Sequence, residues 1–532
     1  MSTAATITAD QAGSSPKVNP WLIGVVVSMA AFMEVLDTSI ANVALPHIAG
    51  NLGASNDEST WVLTSYLVSN AVVLPISGFL VDWLGRKRFF LMCIAFFTVS
   101  SFFCGLAPSL GILLLFRVLQ GAFGGGLQPM TQAILADTFP PEKRGLAFAL
   151  YGITVVCAPA IGPTLGGWIT DNYSWRWIFY INVPVGILAV LLVSQLIEDP
   201  PYQSTMKKSA ARFDYIGFGL LAIGVGALQV ALDKGQEDDW FGSRFITTLI
   251  ILATVGLVSL VIWEWRHKEP IVDVRLFTTF NFASCSLMMF VLGIVLFSST
   301  VLLPQLLQTL MGYTAETAGM VLSGAAILLL FLLPVVGRLA ARLQARHLLA
   351  FGWITLAMAM YLTCKRIDLL ISFRAAAWLR VWQYLPVGFL FVPLTMAAYV
   401  GLPESKSNAA AGLINFVRNI GQSVGTSSVT TLLARRSQYH QSVLAEFTRS
   451  PRFDAAVAGL TSRLTHVGLS SSAAHQQALA RMYSMVIQQA QALSYVEVYW
   501  LLAMTSALMF LLCFLLAKNE PGAAPAGEVP MH

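Results

Sequence analysis

Two carboxylates, Glu34 and Asp37, lie three residues apart inside one apolar run, WLIGVVVSMAAFMEVLDTSIANVALP, residues 21–46. On a helix that spacing puts them on one face. The run is long enough to cross a bilayer, which takes about 20 mostly apolar residues. An acid at that depth is costly, so it faces a bundle interior or a wet cavity. There it can take up and release a proton. A cation is available to it: Arg117 sits in a later run, LLLFRVLQGAFGGG. At the helical rise per residue, Arg117 lies roughly 9 Å and Asp37 roughly 12 Å below the same surface. A pair between them is therefore feasible. Two opposed influences then act on the acid, a neighbouring charge and its own burial. A carboxylate poised between them can load and unload a proton as access alternates. A fixed structural ion pair is the alternative.

The rest of the chain must hold these groups in a membrane. Of 532 residues, 56% are hydrophobic and 11% charged, with mean hydropathy +0.69. Soluble domains run at roughly 25% charged. The composition predicts an all-α integral membrane protein. Residues 1–20 are polar and the first apolar run is a full span, so no cleavable signal is expected. The six cysteines fall within or at the ends of apolar runs, which predicts neither a disulfide framework nor a cysteine metal site. His440, His466 and His475 have no ligand spacing. No nucleophile–base or metal constellation points to an enzyme. The absence of a GxxxxGK[ST] pattern argues against ATP as the energy source.

Polar punctuation divides the chain into fourteen predicted spans. With the N-terminus inside, the short inner loops carry fifteen Lys and Arg against six in the short outer loops, so both termini are predicted cytoplasmic. Gly78–Leu84, GFLVDWL, recurs as Gly337–Leu343, GRLAARL. Arg117–Gln120 followed by Pro129 and Thr131 recurs as Arg380–Gln383 followed by Pro393 and Thr395. Offsets of 259 and 263 residues for the two pairs imply duplicated six-helix halves. The predicted organisation is a tail (1–20), a first half (21–197), a linker with two inserted spans (198–278), a second half (279–517) and a tail (518–532). The second half includes a long outer segment, 435–495. Paired halves with a site at their interface are a recurrent transporter design.

Three further motifs carry mechanism. In GFLVDWLGRKRFF (78–90), Gly78 and Gly85 permit a close approach and a tight turn. Asp82 can pair with Arg86 or meet the N-terminus of a neighbouring helix, and Lys87 anchors topology. In APAIGPTLGG (158–167), Gly162, Pro163, Gly166 and Gly167 allow a kink and close packing. Arg418 is a second buried cation. It can reach an anionic substrate, reach the acids of the first half, or snorkel to the surface. Asn42, Gln120, Gln128 and Asn415 are the other candidates for a polar lining of a substrate cavity.

These stretches, with LDTSIANVALP (36–46) and WRWIFYINVPVG (175–186), resemble the major facilitator superfamily, and within it the fourteen-span drug:H⁺ antiporters of the EmrB type. The resemblance covers about residues 20–517. It implies the superfamily fold, with two six-helix halves and two inserted central helices. It implies proton-driven export of hydrophobic and amphipathic toxic compounds across a Gram-negative inner membrane, with the proton gradient as energy source and no cofactor. A dedicated exporter of one class, such as fatty acids or a metabolite, is the rival reading. The resemblance makes the 78–90 loop a conformational latch and 158–167 an antiporter signature. In the second copy Ala341 stands where Asp82 stands, so the latch carries over only to the first. Glu34 departs from the pattern, which expects no charge there, and leaves open whether one acid or two titrate. The implied partners are protons, small lipophilic substrates, lipid, an EmrA-like periplasmic adaptor and a TolC-like outer-membrane channel, with no nucleic acid. Ser470 is a plausible cap before a helix at 473–490, whose Leu479, Met482, Met485 and Val486 recur at helical spacing. They need a surface to bury against, on the pump itself or on a partner.

Overall fold

A computed structural model describes residues 19–198, 214–267, 270–403 and 406–516. Among these residues the secondary structure is helical, without strands. The first half comprises α1 (Pro20–Leu52), α2 (Asn56–Leu84), α3 (Arg86–Leu106), α4 (Leu110–Gly124), α5 (Leu127–Thr138), α6 (Pro141–Asn172), α7 (Trp177–Tyr180) and α8 (Asn182–Leu196). The inserted pair is α9 (Tyr215–Lys234) and α10 (Arg244–Arg266). The second half comprises α11 (Phe280–Thr309), α12 (Ala315–Ala340), α13 (Ala345–Arg366), α14 (Phe373–Ala398), α15 (Ser407–Phe447), α16 (Pro451–His466) and α17 (Ser471–Leu512).

Among the described residues, twelve helices are long and apolar enough to cross a membrane, and the bent pair Glu142–Pro159 and Ile161–Asn172 makes a thirteenth. The fourteenth expected span is the membrane part of α15. It is less apolar because it carries Asn408, Asn415, Arg418, Asn419 and Gln422. It packs between α2 and α11 rather than against lipid. The predicted span that carries Arg117 is not one continuous helix but is interrupted at Gly125 and Gly126, between α4 and α5. These glycines let the chain press against its neighbours: a Cβ on Gly125 would stand 2.7 Å from the Asn70 carbonyl oxygen of α2.

Local chemistry sets the helix ends. At α2, Ser55 and Glu58 form a reciprocal capping box, with Glu58 N–H donating to Ser55 Oγ at 3.1 Å. Gly85 then turns the chain into α3 at φ +87°, a conformation that side chains disfavour. Ser470 caps α17 as expected. Segment 435–495, expected on the outside, is not a separate loop domain. α15 and α17 run continuously from the membrane into it, over 41 and 42 residues. At 1.5 Å per residue each is roughly 60 Å long, against about 30 Å of hydrocarbon. α16 lies on α17 through Val457, Leu464, Ala474 and Ala478.

The inserted pair is not peripheral to the halves. α9 and α10 cross where Gly256 meets Gly224. From α9, Gln229 Nε2 donates to Ser423 Oγ of α15 at 2.7 Å. Asp233 accepts from Thr64 of α2, and Lys234 Nζ donates to the Asp57 carbonyl at 3.2 Å. Trp240, just beyond α9, donates to Thr431 Oγ1 at 3.0 Å. The pair thus holds a helix of each half.

Candidate functional site

Asp37 of α1 and Arg117 of α4 meet, with Nη1 to Oδ2 at 2.6 Å and residue exposures of 2% and 0%. Arg117 Nη1 also donates to Gln120 Oε1 at 2.9 Å, and Nε donates to the Val62 carbonyl at 3.0 Å. Its guanidinium lies 4.3 Å from the Tyr66 ring centroid. Asp37 Oδ1 accepts from Gln120 Nε2 at 3.0 Å and Asn182 Nδ2 at 2.7 Å. Three donors thus converge on the Asp37 carboxylate. All of these partners belong to the first half. Gln120 was expected in a substrate cavity, but it lies in this cluster, fully buried. It is one turn from Arg117 on the same face, a spacing already visible in the sequence.

Glu34 builds a separate network one turn away. Its Oε1 accepts from Asn70 Nδ2 at 3.1 Å and Tyr66 Oη at 3.3 Å, and its Oε2 accepts from Gln128 Nε2 at 2.6 Å. Gln128 Oε1 in turn accepts from Tyr151 Oη at 3.0 Å and from Arg418 of α15. Asn415 Nδ2 donates to Gln132 Oε1 at 3.0 Å. Arg418 therefore turns inward onto the first half and does not snorkel. Asn42 stands apart, exposed on α1. Tyr66, Asn70, Tyr151, Gln132 and Asn182 were not singled out from sequence. The available signal was a polar side chain within an apolar span.

At the end predicted to face the cytoplasm the halves touch backbone to backbone. A Cβ on Gly78 would stand 2.8 Å from Ala409 Cα, and one on Gly412 would stand 2.8 Å from the Leu74 carbonyl oxygen. Arg86 pairs with Asp137 at 2.6 Å and donates to Asn408 Oδ1 at 3.1 Å. This differs from the expected Asp82–Arg86 pair. Arg86 points into the bundle, whereas Asp82 is exposed on the other side of the Gly85 turn. Arg86→Ala is expected to slow turnover more than it weakens substrate binding, because it lies at this closure and not beside Asp37. Asp82→Asn should be milder. Transport rate and substrate affinity measured on the same preparations check both; a large loss of affinity at unchanged rate contradicts the assignment.

In the 158–167 motif, Pro163 has no N–H to offer the Pro159 carbonyl. Ser39 of α1 takes that place, with Oγ donating to Pro159 O at 3.2 Å. Gly162 and Gly166 face Ser39 and Ile40, and Gly167 faces open space near Val43. The motif thus seats α6 on the helix that carries both acids.

A family model described as Major Facilitator Superfamily matches residues 27–426. The chain belongs to the major facilitator superfamily. It is similar to "Multidrug export protein EmrB" of Escherichia coli (strain K12), with 39% identity over 482 residues, 91% of this chain and 92% of that protein. "Fatty acid resistance protein FarB" of Neisseria gonorrhoeae is 40% identical over 422 residues, covering 79% of this chain and 82% of that one. The solved proton:xylose symporter XylE shares the fold, with TM-score 0.61 and 12% identity over 95% of this chain and 98% of that one. As a superfamily member the chain is a multi-pass membrane transporter and not an enzyme. Its 78–90 and 158–167 motifs now have physical content. One seats α2 on α15 across the halves, and the other seats α6 on α1 within one half.

Proposed function

We propose that this protein is a proton-driven multidrug exporter of a Gram-negative inner membrane, with both termini cytoplasmic. The observation that carries the reading is the buried Asp37–Arg117 pair in a chain similar to EmrB. Asp37, with Glu34, exchanges the protons, and the gradient is the energy source with no bound cofactor. Substrates are small hydrophobic and amphipathic compounds, received near Gln128, Asn415 and Arg418. The similarity to FarB favours a second reading, a dedicated exporter of one class such as fatty acids. Reconstituted liposomes with an imposed pH gradient separate the two. Multidrug export predicts movement of chemically distinct lipophilic acids and cations, and movement of fatty acids alone supports the second reading. Efflux insensitive to the gradient overturns both.

The long outer helices suit docking of a periplasmic adaptor, in series with an outer-membrane channel. Met482 packs on α16, while Leu479, Tyr483 and Met485 remain exposed, Met485 by 55%. Cysteines placed at 479, 483 and 485 are expected to cross-link to a co-expressed adaptor. Their removal to Ser-bearing controls should leave liposome efflux intact. Absence of an adduct, with efflux lost on deleting α16, supports self-packing instead.

A further inference from the structure

We infer that Gln128 is a positioning residue that makes the charge of Glu34 hold the two halves together, so that protonating Glu34 releases α15 and loosens the closed end. The inference rests on the proton-driven reading above and assigns the regulation of that site. Arginine only donates hydrogen bonds, so the Gln128 atom facing Arg418 is its oxygen, and its amide nitrogen faces Glu34. Glu34 and Arg418 are 4% and 6% exposed. A negative charge on α1 and a positive charge on α15 are thus joined through one amide whose dipole runs between them. In a low-dielectric interior each end strengthens the other.

Among the described residues, no other charged group around Glu34 makes such a link. Asp37 lies on the same helix and is matched by Arg117 of α4. Tyr66 comes from α2; Tyr151 of α6 and Gln132 of α5 reach Asn415 of α15 at 3.2 and 3.0 Å, contacts that do not involve the Glu34 carboxylate. Adding one proton to Glu34 makes it neutral and leaves Arg418 as a buried cation among neutral partners. Its Nε already has no hydrogen-bond partner. An uncompensated buried charge is strongly unfavourable. Water entry between α5 and α15 relieves it. α15 is also the helix whose first turn, at Asn408 and Ala409, closes on Arg86 and Gly78. Protonation of Asp37, by contrast, disturbs a pair internal to one half.

Spin labels test this on the full chain with its six buried cysteines replaced. Arg88→Cys and Leu343→Cys put one label on each half, at exposed positions of the closed end. In the otherwise unaltered protein the labels should separate on acidification. Glu34→Gln and Gln128→Leu should each lose that response and stay separated at every pH. Glu34→Gln combined with Arg418→Gln removes the stranded cation and should return the labels to the close distance. An unaltered pH response in Glu34→Gln or Gln128→Leu overturns the inference, as does failure of the double variant to close. If the labels behave as described while liposomes show no gradient-driven efflux, the latch stands and the exporter reading falls.

Discussion

Replacing Asp37 by Asn is expected to abolish gradient-driven export while the chain still inserts in the membrane. Asp37 accepts from Arg117, Gln120 and Asn182 at 2.6, 3.0 and 2.7 Å. All three are donors, and an Asn amide offers one acceptor oxygen and one NH₂ group. Whichever way it turns, it sets N–H against N–H on one side. It also carries no exchangeable charge, so the proton has no seat. The second consequence is energetic. Breaking a buried ion pair by removing one partner typically costs about 3–5 kcal/mol. Part of Arg117's environment survives, since its Nε still donates to the Val62 carbonyl and its guanidinium still lies over Tyr66. Asp37→Asn should therefore lower thermal stability as well as transport. Asp37→Asn with Arg117→Met, which takes away the stranded charge, should recover stability but not efflux. Efflux per inserted protein and unfolding temperature, measured on the same preparations, separate the two roles. Normal efflux in well-expressed Asp37→Asn contradicts the assignment. Full recovery of efflux in the double variant reduces the pair to a structural element.

The Asp37–Arg117 contact was legible in the sequence because helix rise alone sets depth, and two charges at one depth in a low-dielectric medium seek each other. Gln120 was legible too, since it is three residues from Arg117, but its amide was assigned to the cavity. The Glu34–Gln128–Arg418 chain was not. Gln128 follows the Gly125–Gly126 interruption, which ends one helix and starts another, so no face drawn on a continuous helix predicts where its side chain points. Arg86 with Asp137 was equally hidden: the residues are 51 positions apart on separate helices, and Asp82, only four away, was the nearer candidate. The part of α9 in holding α2 and α15 depends on Gln229, Asp233 and Lys234, and nothing in their spacing says what they face. Periodicity identifies spans; it does not say which spans are neighbours.

The internal repeat, however, leads to the second large effect. Gly78 and Gly337 are matched positions of the repeat, and each lies where its own half crosses the other. Gly78 of α2 meets Ala409 of α15, with a hypothetical Cβ 2.8 Å from Ala409 Cα and 2.9 Å from its nitrogen. Gly337 of α12 meets Gly145 of α6, with a hypothetical Cβ 2.9 Å from the Gly145 carbonyl carbon. In both cases the obstacle is backbone, which cannot rotate aside as a side chain can. A branched side chain at either position must push the two helices apart at the closed end. Close packing leaves no slack to absorb it. Gly78→Val and Gly337→Val are therefore each expected to reduce turnover at least about tenfold, equivalent to roughly 1.4 kcal/mol against the closed state. The protein should collect with that end open. Because the obstruction lies on the crossings and not beside Asp37 or Glu34, binding of substrate from the open end should persist. Gly167 provides the contrast within one motif-bearing helix, since its nearest neighbour, Val43, is 4.0 Å from a hypothetical Cβ. Gly167→Ala should transport normally. Equal label distances at the closed end in Gly78→Val and the unaltered chain would contradict this account, as would opposite shifts in Gly78→Val and Gly337→Val, because the duplicated halves make the two crossings equivalent.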